Sequence, residues 1–351
     1  MQYILHLTKN CNFSCDYCTV PKNDAIMDRN IWSKICDYAL RNAIKNNEGH
    51  VTIGFYGGEP LLCKGLIHEI VEYCSAISKG NNVSFDYMIT TNGWLLDDDF
   101  IKFAIKNRIE IGISLDGIKV AHDLHRRTTT LMPTFKHVYR VSRDLISKIP
   151  KSYVMLTINP DTIRYLFKSI KFLYKMGFKT VSTAPNFVIN WSNNDFLELR
   201  YQYESMAEWY KNILVNKEDF KLPLFDNKLM NHTGTDKCTP AKHRISIDTN
   251  GDIYPCIQFV ERKEYVIGKV QEEVVVNNGR VCEIVHENMK GIEKCSKCDL
   301  ASRCDNKCSC KNLLSNDSLS TISPKICAHE HALIPIVDEL WGLYGKERCL
   351  E

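Results

Sequence analysis

The sequence predicts an α/β protein in two parts: six strand–helix units, then a small cysteine-rich module with a β-hairpin. Three observations carry this. Strand-length apolar runs alternate with amphipathic helical stretches from residue 1 to about 217. Polar or glycine-rich signals follow successive runs: Gly57-Gly58-Glu59-Pro60, Thr91-Asn92-Gly93 and Asp116-Gly117. Of the 16 cysteines, ten lie from Cys238 onwards and none lies between Cys74 and Cys238.

Taken in order, Tyr3–Leu7 reads as the first strand. Asp28 can cap a helix to about Lys45, with Ile31, Ile35, Tyr38 and Ala39 on one face. His50–Tyr56 is the second strand, and a helix from about Lys64 to Ser78 follows. Val83–Thr90 alternates as the third strand, before a short helix Asp98–Lys106. Ile109–Leu115 is the fourth strand, followed by a helix over Thr134–Ser147. Tyr153–Ile158 is the fifth, followed by a helix over Thr162–Met176 closed by Gly177. Phe178–Thr183 is the sixth, and Asn194–Val215 a long helix. Repeated βα units imply a parallel sheet with right-handed crossovers. Glycines after strands are also ordinary turn punctuation, but in parallel α/β folds that edge carries the chemistry. Residues 218–237 read as a connector and 238–328 as the cysteine-rich module. Within it Ile245, Ile247, the Asn250-Gly251 turn and Ile253 form a hairpin. The tail, 329–351, reads as a packing helix from about His329 to Leu343.

A chain of 351 residues, 44% hydrophobic and 25% charged, has ordinary globular composition. The formal charge of +3 argues neither for nor against nucleic acid. The N-terminus lacks the charged-then-apolar pattern of a signal peptide, and no run of eighteen apolar residues exists. Clustered cysteines then suit metal centres in a reducing cytoplasm better than a disulfide scaffold.

The chemistry centres on Cys11-Asn12-Phe13-Ser14-Cys15-Asp16-Tyr17-Cys18. Three soft thiolates within eight residues can wrap one compact iron–sulfur cluster. A structural zinc site is the alternative, but it usually needs four ligands. With three cysteines a [4Fe-4S] cube keeps one iron open.

This stretch resembles the signature of radical S-adenosylmethionine (radical SAM) enzymes. The resemblance implies that the open iron binds SAM, and that one electron cleaves SAM to methionine and a 5′-deoxyadenosyl radical. It implies an incomplete barrel, a partial (β/α)6 arrangement. It puts Tyr17 against SAM, and Gly57, Gly58 and Glu59 at the SAM amino group. Asn92, Ser114 and Asp116 match further motifs around SAM, and Arg126 matches the position that pairs with the SAM carboxylate. An arginine fork suits that task.

The second cysteine field resembles the SPASM domain. Cys238, Gly251, Cys256, Cys295-x2-Cys298-x5-Cys304-x3-Cys308 and Cys327 follow its seven-cysteine pattern. That resemblance implies two auxiliary clusters. Cys295, Cys298, Cys304 and Cys327 would ligate the outer one, and Cys238, Cys256 and Cys308 the inner one. Lys290, Lys294, Lys297, Arg303, Lys307 and Lys311 would balance the anionic clusters, or simply form a solvated surface. Sulfatase-maturing relatives have an extra cysteine after the first, where this chain has His243 and Arg244. The inner cluster is therefore open, or takes Cys282, Cys310 or His243. Cys282 and Cys310 are also candidate catalytic thiols that donate a hydrogen atom to a substrate radical. Those relatives carry a general-base aspartate where this chain has Ile257, which cannot take a proton. Cys36, Cys63, Cys74 and Cys349 read as ordinary thiols.

The resemblance thus implies a three-cluster oxidoreductase that matures a ribosomally made peptide by thioether or carbon–carbon cross-linking. Epimerisation, sulfatase-type maturation and tetrapyrrole side-chain modification are alternative reactions. A non-enzymatic zinc-ribbon or iron–sulfur module is the alternative class. The expected partners are a peptide and an electron donor such as flavodoxin or ferredoxin, with neither nucleic acid nor membrane. Because the sequence starts almost at the first strand, a separate leader-binding protein, or direct recognition by the barrel loops, is the expected means of peptide capture.

Overall fold

The computed structural model describes residues 1–230, 239–293, 295–304 and 308–344. All six expected strand–helix units are present. They are β1 (Gln2–Thr8) with α1 (Arg29–Lys45), β2 (His50–Gly57) with α2 (Lys64–Ile77), and β3 (Ser84–Thr91) with α3 (Asp98–Asn107). The short α4 (Lys119–His125) comes between β4 (Ile109–Ser114) and α5 (Phe135–Lys148). Then follow β5 (Tyr153–Ile158), α6 (Leu166–Met176), β6 (Val181–Pro185) and α7 (Asn193–Val215). Beyond them lie α8 (Pro223–Met230), β7 (Arg244–Ile247), β8 (Asp252–Tyr254), β9 (Gly268–Val270) and β10 (Val274–Val276). The chain continues with α9 (Asn278–Glu293), α10 (Ser309–Asn316), α11 (Pro324–Asp338) and α12 (Trp341–Tyr344). Contacts group these elements into two compact units. The first comprises 1–114, 125–149 and 239–285; the second takes the remainder.

In the first unit β7, β1, β2, β3 and β4 are parallel neighbours in that order. β7 to β10 continue the sheet as an antiparallel meander. The register sets Ile247, Leu5, Phe55, Ile89 and Ile111 side by side. All five are fully buried, as expected for a parallel sheet covered by helices. Tyr3, on the same face of β1 as Leu5, meets Tyr38 of α1 edge-on, with ring centres 6.2 Å apart. α1 starts where the sequence puts it: the Asp28 carboxylate accepts from the Asn30 N–H at 2.7 Å.

In the second unit β5 and β6 are parallel. α7 begins with a capping box in which Ser192 and Asp195 bond reciprocally. Asp226 of α8 accepts from the Tyr210 hydroxyl and the Leu222 N–H, both at 2.7 Å. Phe225 and Leu229 of α8 are fully buried. Part of the expected connector is therefore a packed helix. Eight residues give too few turns for a periodic signal.

Other departures are local. The helix expected from Thr162 is a 3-10 turn over Pro160–Tyr165, and regular α-helix starts at Leu166. The tail helix starts earlier than His329, at Pro324, with Ser323 as its cap. α9 was not among the expected elements; half of its 16 residues are polar. Among the described residues no helix is long and apolar enough to cross a membrane.

Gly117 shows how tightly the strand ends are built. Its φ is +84°, and a Cβ there would lie 2.0 Å from the Ser169 Cβ. Gly117→Ala should destabilise the fold by ~2 kcal/mol or more, from left-handed backbone strain plus overpacking. Denaturant unfolding checks this: the midpoint should fall with an unchanged slope.

Candidate active site

The cysteine loop leaves the end of β1. β1 and β2 pair in register as far as His6 and Tyr56, then slip by one residue so that Thr8 meets Gly57. A bulge of this kind re-aims a chain. Gly57 and Gly58 lie directly against it. A Cβ on Gly57 would sit 2.2 Å from the Thr8 carbonyl oxygen, and one on Gly58 2.1 Å from that of Asn10. Gly58 N–H donates to the Thr8 carbonyl at 2.8 Å and Glu59 N–H to the Asn10 carbonyl at 2.9 Å. The close approach that these glycines permit is thus to the cysteine loop itself.

Glu59 fixes the next layer and is only 1% exposed. Its Oε1 accepts from the Leu61 N–H at 3.0 Å and the Thr91 hydroxyl at 2.6 Å; its Oε2 accepts from the Asn92 N–H at 2.7 Å. Bonds to a charged acceptor are worth about 1.5–3 kcal/mol each, while burying a carboxylate costs several kcal/mol. Burial wins, and the carboxyl pKa is pushed up to about 6 despite these donors. Both oxygens serve the protein's own backbone and Thr91, whereas the sequence pattern reserved Glu59 for the SAM amino group. Asn92 passes the order on. Its Nδ2 donates to Asn12 Oδ1 at 2.8 Å and lies 3.8 Å from Cys11 Sγ.

The other flank of the loop is clasped by the end of α4. Arg126 is 7% exposed, with its guanidinium carbon 5.3 Å from the centre of the Tyr17 ring. His125 Nδ1 meets the two Asp16 carboxylate oxygens at 2.9 and 3.0 Å. Ser14 N–H donates to the Arg127 carbonyl at 2.7 Å. Arg126 and Tyr17 are therefore brought together. Asp16 and His125 were not singled out from the sequence. Their signal was weak, two polar residues 109 positions apart.

Cys11 and Cys15 are half-buried and Cys18 is exposed. The Phe13 N–H donates to Cys11 Sγ at 3.4 Å, a donor that stabilises a thiolate ligand. Burial raises the Cys11 thiol; Glu59 and Cys18 add to this, and the Phe13 N–H and Lys22 oppose it. Among the described residues no three His, Cys, Asp or Glu side chains converge on a single-ion site. A four-iron cube seats its thiolates on separate irons and needs no such convergence. The three cysteines of one short loop, the Phe13 N–H donor and the nearby Lys22 ammonium fit such a group.

Ser114 is half-buried at the end of β4. Asp116 lies in the second unit, where its Oδ1 accepts from the Thr157 N–H of β5 at 2.9 Å and its N–H donates to His122 Nδ1. That is a strand-positioning role. In the same unit Cys298 N–H donates to the Cys295 carbonyl, and Cys304 N–H to that of Leu300. Burial raises the Cys327 thiol, with further push from Cys298, Cys295 and Glu330. These three cysteines therefore lie within electrostatic reach of one another. Cys310 is buried, with its Sγ 2.9 Å from Cys308 Sγ. Cys282 is exposed on α9, and Cys256 is half-buried just before a 3-10 turn. Ile257 is half-buried rather than buried, yet aliphatic all the same. Cys238, Lys294, Lys307 and Cys349 lie outside the described residues.

Residues 5–173 match the family model of the radical SAM superfamily. The chain carries a radical SAM domain. Enzymes of this family use a [4Fe-4S] cluster and SAM. The cysteine-type anaerobic sulfatase-maturating enzyme of Clostridium novyi is 26% identical over 328 residues, 86% of this chain and 85% of the relative. The serine-type enzyme of Bacteroides thetaiotaomicron is 25% identical over 338 residues, 85% of this chain and 80% of that one. In fold the chain is similar to native anSMEcpe with bound AdoMet, with TM-score 0.81 at 19% identity, covering 97% of this chain and all of that one. It is also similar to Streptococcus suis SuiB bound to its precursor peptide SuiA, with TM-score 0.63 at 16% identity, over 93% of this chain and 75% of SuiB.

Glu59 generates a pH test. Its folded pKa, about 6, lies above its ordinary value. The folded state thus holds the proton more tightly than the unfolded chain. The group favours folding most at low pH, and that contribution is lost as pH rises through about 6. Relative to Glu59→Gln, the wild type should lose roughly 2 kcal/mol of stability between about pH 4.5 and 6.5. Parallel stability curves for the two proteins would show that Glu59 does not titrate in this window.

Proposed function

We propose that the chain is a radical SAM peptide maturase that forms a thioether or carbon–carbon cross-link in a ribosomally made peptide. Cys11, Cys15 and Cys18 would hold the first cluster, and Cys295, Cys298, Cys304 and Cys327 the outer auxiliary cluster. The cluster held by Cys11, Cys15 and Cys18 would supply the electron that splits SAM, and so the radical chemistry that takes a substrate hydrogen. The chain's own residues prepare for this. Glu59 locks Asn92, whose amide holds Asn12 and lies beside the Cys11 sulfur. Tyr17 and Arg126 offer an aromatic face and a guanidinium on the other flank, suited to SAM and its carboxylate. The observation that carries the reading is this convergence on one loop of residues from the ends of β2, β3 and α4.

The peptide class is supported by the likeness in fold to SuiB with its precursor peptide and to anSMEcpe with a Cp18Cys peptide. Sulfatase-type maturation is the second reading, favoured by relatives that match over most of the chain. Ile257 weighs against it, because a cysteine or serine side chain losing hydrogen from Cβ must also lose a proton to a base. Cys310, buried beside Cys308, is the better placed of the two spare thiols to serve a cluster or quench a radical; Cys282 faces solvent. A reduced flavodoxin or ferredoxin would supply electrons, and a reducing cytoplasm suits the exposed thiols.

Anaerobic reconstitution tests the assignment. The wild type should hold about twelve irons per chain and release 5′-deoxyadenosine under dithionite. Replacing Cys11, Cys15 and Cys18 by Ala should remove about four irons and abolish that release. Zinc in place of iron, with no nucleoside released, would sink the enzyme reading.

A further inference from the structure

The second unit buries a charge pair that the SAM chemistry does not use. Lys228 of α8 and Glu330 of α11 are 5% and 1% exposed. The Lys228 ammonium donates to Glu330 Oε2 at 2.7 Å and to the Arg303 carbonyl at 3.0 Å. The Arg303 guanidinium donates back to the Lys228 carbonyl at 3.2 Å and pairs with Asp338. Glu330 Oε1 meets His329 Nδ1 at 3.2 Å, and the Tyr203 hydroxyl meets His329 Nε2 at 2.9 Å. Buried pairs of this kind are costly unless the geometry and further hydrogen bonds support them. Here both are present.

Both anchors adjoin cysteines. Arg303 immediately precedes Cys304. Glu330 lies about one helical turn beyond Cys327, near enough for its charge to reach that thiol. Lys290 and Lys297, which the sequence offered as counter-charges, are exposed and screened by solvent. The guanidinium of Arg303 is committed to Asp338. Among the described residues, Lys228 is a buried cation bonded both to the Cys304 segment, at the Arg303 carbonyl, and to Glu330 on the Cys327 helix.

We infer that Lys228 is a positioning residue for the outer auxiliary cluster, holding the Cys304 segment against α11 and neutralising Glu330 beside the thiolates. This rests on the assignment of Cys295, Cys298, Cys304 and Cys327 to that cluster. A cluster wrapped by four thiolates is anionic, and reduction adds a further negative charge. Its potential follows net charge and local hydrogen bonding. Removing the ammonium alone leaves Glu330 uncompensated, which disfavours the reduced cluster. Removing both charges restores the balance.

The test uses the full chain with Cys11, Cys15 and Cys18 replaced by Ala, reconstituted anaerobically, so that only auxiliary clusters remain. Iron content and an EPR-monitored redox titration are read together. Lys228→Met should lower the midpoint potential of one cluster or lose its irons. Lys228→Arg should retain both, and K228M/E330Q should restore both. The double variant replaces the pair by neutral side chains of similar size, so it remains informative if Lys228→Met alone fails to fold. An unchanged potential and iron content in Lys228→Met would overturn the inference. So would equal losses in the single and double variants. If instead Cys295→Ala with Cys298→Ala removes no iron from the parent protein, the cluster assignment itself fails, whatever Lys228 does.

Discussion

The buried carboxylate of Glu59 is where the first unit's strand ends are tied together. It takes donors from the turn after β2 and from the end of β3. No aliphatic side chain could do this, because three donors at one buried point need an acceptor with several lone pairs. Everything beyond follows in sequence. Asn92 is set by Glu59, Asn12 by Asn92, and the path of Cys11 by both. The conflict between burial and ionisation is the cost of that junction.

The two units support thiols with different chemistry. Around Cys11 the support comes from N–H donors, from Phe13 and Asn92, which act at short range on one sulfur. Around Cys327 it comes from full charges, Lys228 with Glu330, which act over longer distances in a low-dielectric interior. The first arrangement leaves Cys18 exposed, whereas Cys295, Cys298, Cys304 and Cys327 are half-buried.

Much of this was legible in the sequence because it is local. Asp28 as a cap, the Cys11–Cys18 spacing and the strand-end motifs are all read within a few residues. The six strand–helix units follow from apolar periodicity, and the cysteine motifs are local patterns that resemble those of the radical SAM family. What the sequence concealed is non-local or aperiodic. α8 is too short for a periodic signal to show. The His125–Asp16 pair and the Lys228–Glu330 pair join positions 109 and 102 apart, and nothing in the neighbourhood of either residue announces its partner. The packing of Gly57 and Gly58 against the carbonyls of Thr8 and Asn10 is likewise non-local and was not read from the motif.

The contact between Gly57, Gly58 and the carbonyls of Thr8 and Asn10 has a consequence for engineering. The cysteine loop is not a portable cassette. Transplanted onto another strand, its backbone would meet side chains where these glycines now leave only hydrogen. Its three sulfurs would keep their sequence spacing and lose their path. The transferable piece is larger: the end of β1 with its slipped register, the turn after β2, and the Glu59–Asn92 junction, moved together.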